Sequence, residues 1–391
     1  MSQEVFLIKG KEKRVFSGHP WVFLSDIARA DADLKPGDVA VVRASNGAFL
    51  GKAFYNPISQ IALRFLTRED CPVDDGFIRA RIKAAVDYRA QFADLKSARI
   101  VFSESDGLPG LIVDAFGDVL CVQFLCRGMD RLKQTVVDTL KDILKPAAIY
   151  ERSDAPVRRL EGLTQTTGLL FGQLPESIVF SENGIFFSVD VVSGQKTGYF
   201  LDQKENRRAI APFVQGRDVL DCFTHTGAFA LHAAHFGARN VTAVDISDEA
   251  LDTAKRNADL NGFHNIRFVQ ANAFDYLREQ SLTDTRFDTV ILDPPAFTKS
   301  RSTVAAAARG YKEINLRGMK LVRSGGYLVT CSCSQHMHRD AFLNVVLDAA
   351  KDAHVRLFQV EYRTQGRDHP ILPSAPETEY LKCGIFRVDP W

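Results

Sequence analysis

The chain has 391 residues, of which 46% are hydrophobic and 25% are charged, and its formal net charge is +1. That length exceeds one ordinary hydrophobic core, so two or three domains are expected. The composition is typical of a soluble globular protein. No apolar run approaches the ~20 residues that span a bilayer, and the first ten residues lack the pattern of a secretory signal. We therefore expect a cytoplasmic protein that does not enter a membrane.

Basic residues are concentrated in the N-terminal region, although the net charge is close to zero. They are Lys9, Lys11, Lys13, Arg14, His19, Arg64 and Arg68. A local basic face on a neutral protein fits phosphate contacts to a nucleic acid, and it fits an ordinary solvated surface equally well. The cluster alone does not distinguish these two readings.

The seven cysteines are scattered, without a CxxC pair and without a zinc-like spacing of cysteine and histidine. No metal site is therefore predicted. In a reducing compartment, most of these cysteines are expected to be small, buried hydrophobic side chains. Cys333 is the exception, because it ends a predicted strand in the C-terminal half.

Short strands and turn signals dominate the region up to residue 70. Lys35-Pro36-Gly37-Asp38 and Ser45-Asn46-Gly47 are turn sequences. The strands predicted around them are 39–42, 49–54 and 61–65. Asp70-Cys71-Pro72 interrupts the pattern and is interpreted as a linker. We predict a small β-rich domain over residues 1–72.

A mixed α/β domain is predicted over residues 73–188. Apolar residues recur with helical spacing over 77–92, and a second helical pattern covers 132–144. Strand-like runs lie between and after these helices. They are 111–114, 119–125, 148–150, 178–180 and 185–192.

Apolar strands alternate with amphipathic helices in the last predicted domain, residues 189–391. The strands are 219–223, 241–244, 266–269, 289–292 and 327–330. Such alternation predicts a parallel sheet with helices on both faces, and therefore the α/β class. Ligands of such sheets bind at the carboxyl ends of the strands, so the residues after each strand are the candidate site residues.

The first and third strand ends carry residues that suit a nucleoside cofactor. The first strand leads through Asp221 into the turn at Thr226-Gly227, where a glycine lets a ligand approach backbone amides at a helix start. An ordinary strand-to-helix turn would have the same appearance. After the third strand, Asn272 could pair with an adenine edge or simply form a turn.

Asp245 ends the second strand, about twenty residues after Gly227. A carboxylate at that distance is suited to accept hydrogen bonds from both ribose hydroxyls of an adenosine cofactor. A solvated or helix-capping aspartate is the alternative. Ser247 or Asp248 could cap the next helix instead, which would leave Asp245 free for a ligand.

The candidate catalytic residues lie at the ends of the fourth and fifth strands. Asp293-Pro294-Pro295 lacks two amide donors, which leaves carbonyls and one carboxylate facing the cleft. Strand alternation places Cys331 and Cys333 on one side if the fifth strand persists. We interpret Cys331 as a packed side chain and Cys333 as a nucleophile beside Asp293.

The whole chain resembles the large-subunit rRNA cytosine-C5 methyltransferases that carry an N-terminal PUA domain. The matching stretches are GHPWVF at 18–23, ESDGLPG at 104–110, KTGYFLDQ at 196–203, DCFTHTGAF at 221–229, DPP at 293–295, RGYK at 309–312 and SCS at 332–334. The resemblance implies a Rossmann-like class I methyltransferase domain, preceded by a small β-rich PUA domain and a mixed α/β central domain.

The resemblance also implies a cofactor, a substrate and roles for individual residues. The methyl donor would be S-adenosylmethionine, and the acceptor a cytosine in 23S rRNA, either free or in a large-subunit assembly intermediate. The segment 196–203 would form a lid over the cofactor, and Cys333 would be the catalytic thiolate. A homodimer is one expected assembly state. The residues expected to hold the cofactor are Tyr199, Gln203, Asp221, Thr226, Gly227, Asp245, Asn272 and Asp293.

This sequence departs from many such enzymes at one position. They carry a second cysteine just after the proline of the fourth strand end, where this chain has Pro295 and Ala296. Another base must then remove the carbon-5 proton.

Two alternatives to this function stay open: methylation of a guanine or adenine amino group, with Phe297 stacking on the base, and a non-catalytic RNA-binding protein that keeps the fold.

Overall fold

The computed structural model describes residues 3–194, 197–298 and 301–391. Its contacts divide the chain into two compact units. Unit 1 comprises Met1–Phe180, Val189–Leu201 and Arg367–Thr378, and unit 2 comprises Ser181–Ser188, Asp202–Gly366 and Glu379–Trp391. The three-domain division stays a prediction, because one compact unit can contain more than one domain.

A six-stranded sheet forms the first part of unit 1. Its strands are β1 (Glu4–Leu7), β2 (Trp21–Phe23), β3 (Ile27–Ala30), β4 (Val39–Arg43), β5 (Phe49–Tyr55) and β6 (Ile61–Thr67), with helix α1 (Lys13–Phe16) after β1. Their order in the sheet is β2-β6-β5-β4-β1-β3. The three predicted strands correspond to β4, β5 and β6. Strands β1 to β3 were not predicted, because strands of three or four residues show too few alternations to be recognised.

A five-stranded sheet forms the second part of unit 1, with the order β11-β10-β9-β8-β7. Its strands are β7 (Ser97–Phe102), β8 (Leu111–Phe116), β9 (Val119–Phe124), β10 (Ala148–Ser153) and β11 (Thr166–Gly172). The accompanying helices are α2 (Asp75–Ala90), α3 (Arg127–Arg131), α4 (Lys133–Leu144) and α5 (Val157–Leu160). The predicted helices at 77–92 and 132–144 are confirmed as α2 and α4.

The two sheets of unit 1 share buried apolar residues. Phe54 of β5 belongs to the same core cluster as Ile78 of α2 and Val113 of β8. A Cβ added at Gly128, in α3, would overlap the ring of Phe54, so a residue without a side chain is needed there. This shared core explains why two predicted domains fall into one compact unit.

Buried charged side chains join two sequence stretches of unit 1. The guanidinium of Arg64 donates to Glu104 at 2.8 Å and to Glu161 at 3.0 Å, and the indole of Trp21 donates to Glu104 at 2.8 Å. These contacts join the stretch at 18–23 to the stretch at 104–110. Arg64 therefore has a structural role, because its charge is neutralised inside the protein.

Most other residues of the predicted basic cluster also have partners, although several of these pairs are partly exposed. The partners within unit 1 are Asp26 for Lys11, Glu377 for Arg14 and His19, and the carbonyl oxygens of His19 and Leu50 for Arg68. Lys9 and Lys13 are exposed, and neither forms an ion pair with another described residue. Lys9 and Lys13 are thus the members of the cluster without an ion pair among the described residues, and both readings of the cluster stay open.

Unit 2 is built on a seven-stranded sheet with the order β16-β15-β14-β17-β18-β20-β19. Its strands are β14 (Asp218–Cys222), β15 (Asn240–Asp245), β16 (Ile266–Gln270), β17 (Phe287–Leu292), β18 (Val322–Ser332), β19 (Val355–Arg363) and β20 (Lys382–Pro390). The first five are parallel, whereas β20 runs antiparallel to both β18 and β19. A two-stranded hairpin, β12 (Ile178–Glu182) and β13 (Ile185–Val189), precedes this sheet where the chain passes between the units.

Helices cover both faces of this sheet. They are α6 (Lys204–Ala209), α7 (Ala211–Val214), α8 (Ala228–His235), α9 (Asp248–Leu260), α10 (Ala273–Gln280), α11 (Val304–Leu321) and α12 (Arg339–Ala353). Successive residues of β14 alternate between two cores: Val219 packs with Phe229 of α8, and Leu220 packs with Ile314 of α11. Because both faces are buried, the strands read as continuous apolar runs, and the predicted α/β class is confirmed.

The antiparallel strands β19 and β20 escaped the sequence analysis. Polar residues interrupt the apolar ones along β19, which is only partly buried, so it lacks the apolar run that marks the parallel strands. Among the described residues, no helix is long and apolar enough to cross a membrane.

Candidate active site

The turn after β14 has a strained backbone. Phe223, His225 and Gly227 all have positive φ, at 65°, 50° and 83°. Only glycine adopts this region without cost, so the surrounding contacts must hold the other two residues. The amide of His225 donates to Asp245 Oδ2 at 2.8 Å, and Asn257 Nδ2 donates to the carbonyl oxygen of Thr226 at 3.2 Å. The turn at Thr226-Gly227 thus leads directly into α8, whose first amides face the strand ends.

Asp221 lies at the centre of the strand ends and is fully buried. The pKa of its carboxyl group is raised to about 8, chiefly by burial and also by the nearby carboxylates of Asp293 and Asp245, while a hydrogen bond from Thr224 opposes the shift. Thr224 Oγ1 donates to Oδ2 at 2.5 Å, whereas Oδ1 is buried without a hydrogen-bonding partner of good geometry among the described residues. A buried polar atom without a partner is rare in folded proteins, and a functional role or a bound water or ion is a common reason for it.

The raised pKa of Asp221 predicts a pH-dependent stability. Between its ordinary value of 3.8 and about 8, the folded protein holds a proton that the unfolded chain has lost. This contribution to the free energy of unfolding therefore declines as the pH rises from about 4 and is fully lost above about 8. Asp221→Asn should remove the decline, so that the cofactor-free variant is more stable than wild type at pH 9.

Denaturant midpoints of both proteins between pH 5 and pH 9 measure this effect. Asp248→Asn, at an exposed position in the first turn of α9, is the control and should leave the profile unchanged. If the free energies of unfolding of wild type and Asp221→Asn differed by the same amount at every pH, the assignment of a buried, protonated Asp221 would be contradicted.

Asp245 accepts two backbone hydrogen bonds. Its Oδ2 binds the amide of His225, and its Oδ1 accepts from the amide of Ser247 at 3.0 Å. Ser247 is the N-cap of α9, as predicted, and its side chain accepts from Ala250 N at 3.2 Å. Asp245 is therefore not used as a helix cap. Each carboxylate oxygen still has a second lone pair available for a hydroxyl group.

Asn272 caps α10. It is exposed, and its Oδ1 accepts from the amide of Phe274 at 2.9 Å. This is the turn-forming role that the sequence analysis gave as the alternative to adenine recognition. Its place at the end of β16 is as predicted, whereas its role toward a ligand stays a prediction.

A chain of amide side chains reaches Asp293. Gln203 Nε2 donates to Asp293 Oδ1 at 3.0 Å, and Asn206 Nδ2 donates to Gln203 Oε1 at 2.7 Å. Arg363 of β19 donates in turn to Asn206 Oδ1 at 3.1 Å. Gln203 and Asn206 are buried, so the chain fixes the orientation of the carboxylate. Gln203 was predicted from the sequence as a cofactor ligand, whereas Asn206 was not predicted.

The two cysteines at the end of β18 have different surroundings. Cys331 is fully buried and packs beside Cys383, and burial raises the pKa of its thiol well above the ordinary value. Cys333 follows the last residue of β18 and is partly exposed, with Sγ 4.0 Å from the carbonyl oxygen of Pro294. The structure therefore makes Cys333 the accessible thiol at this strand end.

Tyr311 organises the segment that carries Cys333. Its buried hydroxyl lies 3.0 Å from Ser332 Oγ and 2.9 Å from Ser334 Oγ, on either side of the cysteine. Tyr311 belongs to the stretch RGYK at 309–312, and that stretch was the signal that could have suggested a positioning role. Hydrogen bonds to both flanking residues limit the movement of Cys333.

Three aromatic rings line the same strand ends. Phe223, Phe274 and Phe297 are partly buried and pack with their ring centroids 5.6–6.4 Å apart. Phe297 also packs on Tyr311 at 4.6 Å. Phe297 is thus part of a packed cluster, although the sequence analysis considered it as a stacking residue for a base.

Tyr199, a predicted cofactor ligand, belongs to unit 1. Its ring is buried and packs edge-on against Phe180, with the centroids 4.9 Å apart. The preceding Thr197 donates to Asp114 at 2.6 Å, which anchors this part of the segment 196–203 within unit 1. Lys196 lies outside the described residues. The lid role stays a prediction.

Comparison with known proteins identifies the family. A family model for PUA-like domains matches residues 5–68, and a model for S-adenosylmethionine-dependent methyltransferases matches residues 128–387. A ribosomal RNA large subunit methyltransferase I from Vibrio cholerae is 41% identical over 99% of this chain and 100% of its own length. The chain belongs to this methyltransferase family.

Solved structures agree with the fold. A chain from Streptococcus mutans, described as a methyltransferase dependent on S-adenosylmethionine, has a TM-score of 0.83 at 20% identity and covers 99% of this chain and 100% of its own. A second chain, described as a methyltransferase in complex with S-adenosylhomocysteine, has a TM-score of 0.84 with the same identity and coverage. The predicted PUA-like domain and Rossmann-like methyltransferase fold are confirmed.

Family membership makes this protein an enzyme that uses S-adenosylmethionine. The predicted non-catalytic alternative is thereby set aside. The residues at the strand ends fit such a cofactor, because Asp221 offers a buried carboxylate oxygen without a good partner and Gly227 brings the backbone to the start of α8. A Cβ added at Gly227 would lie 2.6 Å from Leu231 Cδ1, so a side chain would also crowd this turn.

Proposed function

We propose that this enzyme methylates carbon 5 of a cytosine in 23S rRNA through a covalent adduct with Cys333. The observation that carries the proposal is the partly exposed Cys333 at the end of β18, with Sγ 4.0 Å from Pro294 O. Its neighbour Asp293 is held by the buried amide of Gln203. The name of the Vibrio cholerae relative, a ribosomal RNA large subunit methyltransferase, supports the choice of substrate.

Carbon 5 of cytosine is a poor nucleophile, so the base must be activated. The Cys333 thiolate adds to carbon 6, which breaks the double bond between carbons 5 and 6 and leaves carbon 5 electron-rich. Asp293 hydrogen-bonds the pyrimidine at N3 or N4, which positions the ring and stabilises the adduct. A base within folded RNA must be exposed or flipped to reach the thiolate.

When bound, S-adenosylmethionine would supply an electrophilic methyl group to carbon 5, with its sulfur keeping the electron pair of the broken bond. Loss of the carbon-5 proton then restores the double bond and expels the Cys333 thiolate. In this chain Pro295 and Ala296 stand where many such enzymes have a second cysteine, so a different base accepts that proton.

The remaining site residues are proposed to hold the cofactor. Asp245 would accept from the ribose hydroxyls, and Asn272 would lie near the adenine. The backbone at Thr226-Gly227 would contact the cofactor closely, with Asp221 nearby. A positively charged ligand beside Asp221 would favour the ionised carboxylate, because opposite charges attract strongly in a buried site. Tyr199 and Gln203 would contribute from the segment 196–203.

Methylation of an amino group on guanine or adenine is the second candidate. Such enzymes often place an aromatic residue directly after Asp-Pro-Pro or Asn-Pro-Pro, where this chain has Ala296. Phe297 packs against Phe274 and Tyr311, so it is held away from the role of a free stacking platform. The cytosine reaction is therefore favoured.

Mapping of modified nucleotides in rRNA tests the proposal. In cells that lack the protein, one 5-methylcytosine of 23S rRNA should disappear, and wild-type protein should restore it, whereas Cys333→Ser should not. Bisulfite sequencing together with mass spectrometry of nucleosides makes the measurement. Loss of a methylated guanine or adenine instead, with every 5-methylcytosine retained, would contradict the proposal.

The proposal also covers the domain boundaries, the form of the substrate and the location of the enzyme in the cell. We assign the PUA-like domain to 1–72, the central mixed α/β domain to 73–188 and the methyltransferase domain to 189–391. The substrate would be 23S rRNA or a large-subunit assembly intermediate, which places the enzyme in the cytoplasm. The homodimer stays a prediction.

A further inference from the structure

A buried lysine lies beside the segment that carries the proposed nucleophile. Lys382 begins β20, where it is paired with Ser332 of β18, and only 3% of its surface is exposed. Its ammonium group donates to the carbonyl oxygen of Ser334 at 2.7 Å and to that of Tyr380 at 2.7 Å. Lys382 therefore contacts the backbone directly after Cys333.

Acidic side chains compensate the charge of this ammonium group only in part. Within residues 3–194, 197–298 and 301–391, Lys382 has no carboxylate within ion-pair distance. Burial lowers the pKa of Lys382 to about 8, while the charges of Cys333 and Glu379 act in the opposite direction. Burial of an unpaired cation is costly, so a role for its charge is the simplest reason to retain it.

The interaction between Lys382 and Cys333 acts in both directions. A thiolate at Cys333 favours the ammonium form of Lys382, and by reciprocity the ammonium favours the thiolate by the same free energy. Water screens this interaction weakly, because the lysine is buried. Cysteines next to a lysine are more acidic than free cysteine for this reason.

We propose that the Lys382 ammonium stabilises the Cys333 thiolate and thereby activates the nucleophile of the reaction. This inference rests on the proposed function for its purpose, since only a covalent route needs the thiolate. Lys382 acts through Cys333 and through the backbone of Ser334, so it is a positioning residue and need not touch the RNA.

The other ionisable groups around this segment do not supply the same effect. Tyr311 of α11 is neutral near pH 7, because burial raises the pKa of its hydroxyl group. Asp293, after β17, and Glu379, before β20, are acidic, and negative charge opposes a thiolate. Among these groups, Lys382 is the one that carries a positive charge.

The pH dependence of Cys333 alkylation by iodoacetamide tests the inference without RNA. In the full-length protein, peptide mass spectrometry should show Cys333 reacting with an apparent pKa below the roughly 8.5 of free cysteine. Lys382→Met, of similar length and without charge, should raise that value by about one unit, which slows alkylation near pH 7 about tenfold. Lys382→Arg, which keeps the charge, should restore much of the rate.

Two controls separate this effect from general disturbance. Arg387→Met removes an exposed cation from the same strand and should leave Cys333 unchanged. Cys71, a partly exposed cysteine of unit 1, provides a reference rate in the same digest. If Lys382→Met fails to fold, the wild-type profile decides, because an apparent pKa at or above that of free cysteine overturns the inference.

A folded Lys382→Met protein with unchanged Cys333 reactivity would also overturn it. Failure of the proposed function would be detected by a different measurement, because mapping of rRNA would then find no cytosine that this enzyme methylates. An acidic, lysine-dependent Cys333 in a protein that does not methylate cytosine would support the pairing of Lys382 with Cys333 and contradict the cytosine reaction.

Discussion

RNA with 5-fluorocytosine at the target position should trap the wild-type enzyme, and Cys333→Ser should form no adduct. Fluorine cannot leave as the carbon-5 proton does, so the bond between Cys333 and carbon 6 persists. Serine is close to cysteine in size but remains protonated near neutral pH, so the variant loses the nucleophile without opening a cavity. Methylation should fall on the order of 10⁴-fold or more, the scale of losing a nucleophile.

Denaturing gels of enzyme mixed with labelled RNA and S-adenosylmethionine make the measurement. Cys71→Ser, at a partly exposed cysteine in unit 1, is the matched control and should trap fully. Cys331→Ala should trap at least partly, because Cys331 is buried in the core. Full methylation by Cys333→Ser would leave amino-group methylation as the better reading. Trapping that depends on Cys331 would show that the wrong cysteine was chosen.

Asp245→Ala should weaken the binding of S-adenosylmethionine by about 1.5–3 kcal/mol, or roughly 10- to 150-fold. The variant loses the proposed acceptor for the ribose hydroxyls. It also loses the acceptor for the amide of His225, whose backbone has a φ of 50°. The left-handed turn would then relax, so both effects reduce affinity.

Titration calorimetry with the folded variants separates these two contributions. Asp245→Asn keeps one oxygen acceptor for a backbone amide and should lose less affinity than Asp245→Ala. Asp248→Asn removes a nearby exposed charge and should bind as wild type does. Unchanged affinity in Asp245→Ala would remove this residue from the cofactor site.

The parallel core of unit 2 could be read from the sequence because its central strands, such as β14, are buried on both faces. Val219 and Leu220 face different cores, so both must be apolar, and the run stands out from the helices. The half-exposed β19 carries no such signal, and its place in the sheet depends on pairing with β20. Pairing between distant segments is decided by tertiary contacts, which local composition does not record.

The residues of the candidate site also divide into those that the sequence predicts and those that only the fold reveals. Asp221, Asp245, Asp293 and Cys333 were found because parallel strands bring their carboxyl ends to one edge, so position along the chain implies proximity. Asn206 and Lys382 were not found, since each forms a hydrogen bond with a residue far away in sequence, Arg363 for Asn206 and Ser334 for Lys382. The use of Asn272 as a helix cap was likewise open until its bond to the Phe274 amide was seen.

By itself, the sequence determined the α/β class, the order of the parallel strands along the chain, the resemblance to the methyltransferase family and the residues at the strand ends. Only the tertiary structure decided which cysteine is accessible, and it showed that Arg64 neutralises buried carboxylates. It also placed a buried ammonium group next to the backbone of Cys333. The physical reason is that exposure and charge pairing depend on contacts across the fold, whereas hydrophobic periodicity is a local property.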